Sequence, residues 1–158
     1  MGDIRCGRAR HLIDLENLYA AHHRVQYETW FSQLYREVVG VGPEDLLTVA
    51  ADRRHALEID AVFPGARTLW GFGRDGADRQ LVASIDWPSL VRGCDTLVIA
   101  SGDWCFTDVA YRARQFGLRV VVASRARSLS RMLAPYADEV IEFPEFDPAV
   151  PPQYVRAA

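Results

Sequence analysis

The sequence predicts an α/β fold built around a central, mostly parallel β-sheet. Short runs rich in β-branched residues alternate along the chain with longer segments of helical spacing, which is typical of βαβ units. A chain of 158 residues is near the usual size of one domain and has enough length to form its own core. We therefore expect one domain over residues 10–144, with an N-terminal extension at 1–9 and a proline-rich, irregular tail at 145–158.

The strands are identified by their short apolar runs. They are predicted at residues 10–15, 46–50, 67–71, 96–101, 119–123 and 139–143. Between the first two, aromatic and aliphatic residues recur every three or four positions from Asn17 to Val39, which predicts a helix that ends at Gly40. Asp52 is expected to cap a second helix that runs to Val62.

The second half of the chain repeats this pattern. Apolar spacing predicts a helix that starts at Phe106 and ends at Gly117, which is a plausible C-terminal cap. Ser128 or Ser130 is expected to begin a last short helix.

Composition and charge exclude several classes of protein. No segment is long and apolar enough to span a bilayer, and the N-terminus lacks the apolar core of a secretory signal, so we expect a cytoplasmic protein. The three cysteines are widely spaced and support neither a disulfide framework nor a structural zinc site. A net charge of −3 argues against a protein that coats nucleic acid non-specifically. The composition permits a homodimer without requiring one.

Carboxylates follow two of the predicted strands. The run His11–Asp14 ends on an acid, and so does the longer run Asp95–Asp103. In open parallel sheets, ligands bind beyond the carboxyl ends of the strands, so Asp14 and Asp103 are candidates for one shared site. Asp78, in the sequence Gly-Ala-Asp, is a third candidate, although as an N-cap of a helix over 79–85 it would have a purely structural role.

An acidic cluster of this kind requires compensation. Two unit charges about 4 Å apart cost roughly 4 kcal/mol at an effective dielectric constant of 20, so protons or a cation must neutralise them. Oxygen ligands suit Mg²⁺ or Mn²⁺, and such an ion would promote phosphodiester hydrolysis. Asn17 and Ser101 are expected to hold the acids or a water molecule, with turn or helix-cap roles as the alternative.

The same residues resemble a known family. The segments His-Leu-Ile-Asp-Leu-Glu-Asn17, Gly-Ala-Asp78 and Asp-Thr-Leu-Val-Ile-Ala-Ser-Gly-Asp-Trp-Cys-Phe106 occur in the order and spacing of NYN domains of the PIN-like nuclease group. The resemblance covers residues 10–143 and implies a Rossmann-like sheet of strand order 3-2-1-4-5 with helices on both faces. It also implies that Asp14, Asp78 and Asp103 bind Mg²⁺ or Mn²⁺ and cleave RNA, with Asn17 and Ser101 at active-site positions.

One position departs from that family. Many members carry a second aspartate two residues after the one that matches Asp103, whereas this chain has Cys105. In this respect it resembles a subset of actinobacterial members that have a non-acidic residue at this position. Asp108, one helical turn further on, is a candidate replacement or a solvated helix residue. Nucleophilic catalysis by Cys105 has no support from a nearby histidine.

Cationic and aromatic residues complete the predicted RNA site. Arg125, Arg127 and Arg131 follow the fifth strand at the carboxyl edge, where they would contact phosphates or line a solvated loop. Trp104 would stack on a single-stranded base, while Trp70 is expected in the core. The RNA itself is expected to be single-stranded or structured.

Two other functions are compatible with the sequence. One is a phosphatase of the haloacid-dehalogenase type, because Asp14-Leu-Glu16 and the segment 102–108 imitate two of its motifs, although the chain contains no lysine to stabilise a phosphoaspartate. The other is a non-catalytic module that binds RNA or a protein after losing an acid at Cys105.

Overall fold

A six-stranded parallel sheet forms the centre of the computed structural model, which describes residues 7–19, 30–55, 59–60 and 62–145. Its strands are β1 (Ala9–Asp14), β2 (Leu46–Asp52), β3 (Arg67–Gly71), β4 (Thr96–Ala100), β5 (Arg119–Ser124) and β6 (Glu139–Glu142). The order is β3-β2-β1-β4-β5-β6, and every neighbouring pair is parallel. The predicted Rossmann-like α/β fold is confirmed, and the sixth strand extends the expected order 3-2-1-4-5 at the β5 edge.

Helices cover both faces of the sheet. They are α1 (Leu15–Tyr19), α2 (Trp30–Tyr35) with a π-helical continuation (Arg36–Gly40), α3 (Gly76–Ala83), α4 (Trp87–Gly93) and α5 (Thr107–Gln115). α1 and α2 pack on one core, and α3, α4 and α5 pack on a second. No helix within the described ranges is long and apolar enough to cross a membrane.

The alternation of side chains along the strands decides which acids can meet. Leu97 and Ile99 of β4 belong to the core beneath α3 and α5, and so does Leu12 of β1. Because side chains alternate with a period of two, Asp14 and Ser101 project to this same face. The helix that carries Asp78 packs there as well.

The predicted helices of the first half are partly correct. Helical structure begins at Leu15 and ends at Gly40, whose φ of 77° stops the helix, while residues 20–29 lie outside the described part of the chain. The helix expected from Asp52 starts later, because Asp52 pairs with Gly71 as the last residue of β2. A 3₁₀ turn (Arg53–His55) follows, residues 59, 60 and 62 are helical, and the positions between them are not described.

In the second half of the chain, one predicted helix is wrong and one observed helix was not predicted. The helix expected from Ser128 or Ser130 is replaced by two 3₁₀ turns, Ala126–Ser128 and Ala134–Tyr136. α4 was not predicted, although Asp86 caps it by accepting a hydrogen bond from the Ser89 N–H at 3.3 Å. Gly117, with φ of 80°, follows α5 as expected.

A buried hydrogen-bond network fixes the amino edge of the sheet. The Asp45 carboxylate accepts hydrogen bonds from the N–H groups of Ala9, at 2.8 Å, and Gly42, at 2.7 Å. The carboxylate also contacts Nε2 of the fully buried His11, at 3.1 Å, and Nδ1 of that ring lies 2.8 Å from the Tyr35 hydroxyl. Burial alone would raise the pKa of Asp45, but these hydrogen bonds outweigh it and lower the pKa.

Replacing Asp45 with asparagine is expected to flatten the acid limb of the stability curve. Since the folded pKa is the lower one, the contribution of Asp45 is fully present above the unfolded pKa of about 3.9 and is lost as the pH falls through the folded value. Urea unfolding should show a loss of about 1–2 kcal/mol for Asp45→Asn at pH 7 and a smaller loss at pH 3. Glu44→Gln is the control, because Glu44 is exposed; an equal loss for Asp45→Asn at both pH values would contradict the assignment.

Candidate active site

The three predicted acids converge at the carboxyl edge of the sheet. Asp14 is the last residue of β1, and Asp103 follows the neighbouring strand β4. Asp78 is the third residue of α3 and reaches the same place from the side of β3. Asp14 and Asp78 are buried, whereas Asp103 is partly exposed.

Ser101 and Asn17 hold the segments that carry Asp14 and Asp103 together through hydrogen bonds. The fully buried Ser101 hydroxyl donates to Asp14 Oδ2 at 3.1 Å and accepts from the N–H of Asp103 at 3.2 Å. The Asn17 side-chain oxygen accepts from the N–H of Gly102 at 3.0 Å, and its own N–H donates to Asp14 Oδ1 at 3.4 Å. Both residues therefore position the acids through hydrogen bonds, which is one of the two roles considered from the sequence.

Close backbone contacts fix the two loops that deliver the acids. A Cβ on Gly71 would lie 2.1 Å from the backbone nitrogen of Ala77, so the end of β3 packs directly against the start of α3. A Cβ on Gly102 would lie 2.2 Å from the carbonyl oxygen of Ser128, so the loop after β4 packs against the loop after β5. Neither contact leaves room for a side chain, which explains why glycine is required at both positions.

The interpretation of Asp78 as a helix cap is wrong. α3 begins at Gly76, with Asp75 as the preceding residue in a left-handed conformation at φ of 60°. Asp78 lies inside the first turn, and its side chain is hydrogen-bonded to Asp14 and to Cys105. Its burial therefore serves the acidic cluster and not the helix end.

Electrostatics make this cluster unfavourable when all its acids are ionised. Burial is the main cause that raises the pKa of Asp14, followed by its hydrogen bond with Asp78 and the charge of Asp78. Burial also raises the pKa of Asp78, and the charges of Asp103 and Asp75 add to that effect. A proton or a cation is needed to compensate the charge of this group.

Cys105 occupies the position where many NYN domains, which the sequence resembles, carry a further acid. One carboxylate oxygen each of Asp78 and Asp103 and the Cys105 Sγ all lie within 4.8 Å of one another. This triad, Asp78–Asp103–Cys105, fits a single divalent cation in donor number and spacing, and Asp14 lies one hydrogen bond away through Asp78. The donor atoms that lie close enough to share a cation therefore differ from the all-carboxylate set expected from the sequence.

The thiol of Cys105 is poorly suited to nucleophilic catalysis. Burial raises its pKa well above the ordinary value, and the charges of Asp78 and Asp103 raise it further. A nucleophilic cysteine needs an environment that stabilises the thiolate. In this environment, a bound cation is what would favour loss of the thiol proton.

The remaining predicted residues lie around the triad. Arg125 is held by the protein, since its Nε donates to the Asn17 carbonyl at 2.8 Å and its guanidinium pairs with Glu145 at 3.4 Å. Its role is thus to hold α1, the short helix that follows Asp14. Arg127 and Arg131 are exposed on the loop after β5, and Trp104 is 65% exposed beside the triad.

Asp108 and Trp70 have structural surroundings. Asp108 is an exposed residue in the first turn of α5 and is not a member of the metal-ligand group found among the described residues. The structure thus does not bring it to the site as a replacement acid. Trp70 packs against the core on the α1–α2 face, as expected.

Sequence reasoning missed two features of this edge. Glu16, two residues after Asp14, accepts a hydrogen bond from the N–H of Asp52 at 2.8 Å and so links α1 to the end of β2. Phe72 follows β3 and is 68% exposed. The sequence Gly71-Phe72-Gly73, directly after a predicted strand, could have indicated a surface-exposed aromatic ring.

Comparisons with known proteins bear on the fold. No protein-family model matches the chain, and no curated protein matches it. A solved structure of a protein of unknown function from Vibrio parahaemolyticus is similar, with a TM-score of 0.61 and 18% identity, covering 92% of this chain and 98% of that one. An isochorismatase-like hydrolase from Alkaliphilus metalliredigens is also similar, with a TM-score of 0.46 and 14% identity, covering 87% of this chain and 92% of that one. The first likeness supports the α/β fold across almost the whole chain.

Proposed function

We propose that this protein is a ribonuclease of the NYN type that hydrolyses RNA phosphodiester bonds with the help of Mn²⁺ or Mg²⁺. The observation that carries the proposal is the convergence of Asp14, Asp78 and Asp103 at the carboxyl edge. Buried carboxyl groups with raised pKa values are costly for the fold, and functional sites are where such costs are found. The resemblance of the sequence to NYN domains supplies the substrate class.

The residues of the site would divide the work. Asp78, Asp103 and Cys105 would hold the cation, while Ser101 keeps Asp14 and the Asp103 loop in place. When bound, the cation would polarise a phosphoryl oxygen and make a water molecule more acidic. Arg127 and Arg131 are exposed near this edge and would contact phosphates on either side of the scissile bond. We also propose a cytoplasmic location, since Cys94 and Cys105 are free thiols.

The deciding experiment is cleavage of a labelled RNA by the pure protein. We expect cleavage with Mn²⁺ or Mg²⁺, none in EDTA, and none by Asp103→Asn with either metal. Asp108→Asn is the matched control, because this aspartate is exposed and lies outside the triad, so the variant should cut like the wild type. Equal cleavage by the wild type and Asp103→Asn would reject the catalytic proposal.

A second candidate is a module that binds RNA without cleaving it. The raised pKa of the Cys105 thiol favours it, because a protonated thiol is a weaker ligand than the aspartate it stands for. Binding of RNA with no cleavage under any metal would support this function. The phosphatase alternative has no comparable support, because the chain lacks lysine and Asp14 is enclosed by Ser101 and Asp78.

A further inference from the structure

Phe72 is the most exposed large hydrophobic residue of the described chain. Its relative exposure is 68%, and it lies directly after β3, at the same edge of the sheet as the acids. A ring this exposed buries little apolar area in the core. Its position at the functional edge is what requires an explanation.

The loop that carries Phe72 is rigidly attached to the active site. Gly71 packs against the backbone of Gly76 and Ala77, and the Gly76 N–H bonds to the Gly73 carbonyl at 3.3 Å. Because Asp78 directly follows Ala77 in α3, the loop that carries Phe72 is fixed in position relative to Asp78. A flat ring on a fixed loop is a suitable platform for stacking.

A cleft of about 710 Å³ lies beside this ring, between the end of β2 and the loop after β3. Its lining includes Glu16, two residues after Asp14, and Asp75, three residues before Asp78. The cleft is therefore bordered by the segments that carry Asp14 and Asp78 and lies on the β2–β3 side, whereas Trp104 follows β4.

The charges around the Phe72 ring favour a ligand that is both anionic and aromatic. The Arg53 guanidinium lies 5.4 Å from the Phe72 ring centroid, and Arg74 is exposed in the same cleft. Two of the acids that line the cleft already have partners within the protein. Asp52 pairs with Arg54, and Glu16 accepts a hydrogen bond from the Asp52 N–H. Asp75 would repel phosphate, so phosphate contacts are expected at the two arginines.

We propose that Phe72 is a base-stacking residue for single-stranded RNA on the β3 side of the active site. This inference rests on the proposed function. Sheet order places Phe72 and Trp104 three strands apart, or about 14 Å, with Asp14 between them. A single strand that stacks one base on each ring would cross the acids with its backbone. A duplex cannot do this, because its bases are already paired and stacked.

The test is RNA binding in two states that do not cleave: the wild type in EDTA, and Asp103→Asn with Mn²⁺. The probe is a fluorescent single-stranded oligouridine, followed by anisotropy, with duplex RNA as competitor. Phe72→Ala is expected to weaken binding roughly tenfold or more, and Phe72→Trp is expected to restore it. In the cleaving wild-type background, Phe72→Ala should raise KM more than it lowers kcat.

Phe116→Ala is the matched control. Phe116 is also an exposed phenylalanine with an arginine above its ring, Arg112 at 5.7 Å, but it follows α5 at the opposite edge of the sheet. Its replacement should leave RNA affinity unchanged. Thermal melting of both variants verifies that each is folded.

The outcomes separate this inference from the proposed function. If the wild type cleaves single-stranded RNA but Phe72→Ala binds it normally, the stacking inference is overturned and the ribonuclease stands. If Phe72→Ala alters self-association and not RNA affinity, the ring is a protein contact and the inference is overturned as well. If the wild type neither binds nor cleaves RNA, both proposals fall.

Discussion

Replacing Asp78 with asparagine is expected to stop RNA cleavage and, in the same step, to stabilise the metal-free protein. The substitution removes a ligand of the Asp78–Asp103–Cys105 triad, so cleavage should fall at least ~100-fold. It also removes the charge that faces Asp14 in a buried setting and offers an amide that can donate a hydrogen bond to the Asp14 carboxylate. We expect a gain of about 1–2 kcal/mol, or a rise in Tm of roughly 3–6 °C, in EDTA.

The control for this prediction is Asp103→Asn. Asp103 is only partly buried, and its carboxylate accepts the N–H of Cys105 at 2.8 Å, so asparagine relieves little repulsion and weakens a turn. Both variants should lose cleavage, but only Asp78→Asn should melt above the wild type in EDTA. Addition of Mn²⁺ should raise the Tm of the wild type and leave Asp78→Asn unchanged. A lower Tm for Asp78→Asn in EDTA would show that the buried acid is stabilising and contradict the prediction.

These opposite effects follow from one property of the site. Asp14 and Asp78 are held close by elements that are otherwise well packed: β1 in the middle of the sheet, and α3 clamped by the Gly71–Gly76 contact. The surrounding fold therefore keeps two acids together against their repulsion. Such a cluster of acids destabilises the metal-free protein. Removal of one acid should therefore raise stability and lower activity.

Much of this geometry could be predicted from the sequence. Parallel strands end at a common edge, so an acid after β1 and an acid after β4 lie near each other once the strands are recognised as neighbours. The alternation of side chains along a strand then settles that Asp14 and Ser101 share a face. Both inferences use only periodicity, which the apolar runs of β1 and β4 display clearly.

The location of Asp78 required knowledge that periodicity does not supply. α3 begins three residues earlier than expected, because Asp75 adopts a left-handed conformation and Gly71 allows the strand to touch the helix. Such a contact joins residues of two elements through their backbones, and no side-chain pattern records it. α4 differs, since Asp86, Pro88 and Ser89 formed a readable start signal.

The structure changes the interpretation of Cys105 more than that of the other candidate residues. As a sequence position it is a missing acid, which predicts weaker metal binding. In the structure it follows Asp103 in the 3₁₀ turn Trp104–Phe106, which directs the thiol to Asp78 and Asp103. We therefore propose Cys105 as a ligand of different chemistry and not as a gap in the site.

Replacing Cys105 with aspartate is expected to change the metal preference of the proposed ribonuclease activity. Thiolate ligands favour first-row transition ions over Mg²⁺, whereas carboxylates suit Mg²⁺ well. Wild-type cleavage should therefore be faster with Mn²⁺ than with Mg²⁺, and Cys105→Asp should raise Mg²⁺-supported cleavage at least about tenfold. The measurement is the initial rate of cleavage across a titration of each metal.

Two controls separate charge, volume and the mere loss of a thiol. Cys105→Ser has no added charge and should not gain Mg²⁺-supported activity, while Cys94→Ser changes the described thiol that precedes β4 at the far edge and should behave as the wild type. Co²⁺ gives a readout that does not depend on cleavage. A thiolate-to-Co²⁺ absorption band is expected for the wild type and Cys94→Ser, and none for Cys105→Ser.

The aspartate variant should also be less stable without metal, and this links the two predictions. An added carboxylate beside Asp78 and Asp103 increases the repulsion that Asp78→Asn relieves, so Cys105→Asp should melt below the wild type in EDTA and gain more from Mg²⁺. If its Tm and its Mg²⁺-supported rate both equal those of the wild type, Cys105 does not face the metal. In that case the cysteine would be a spacer, and the carboxylates alone would have to account for any metal dependence.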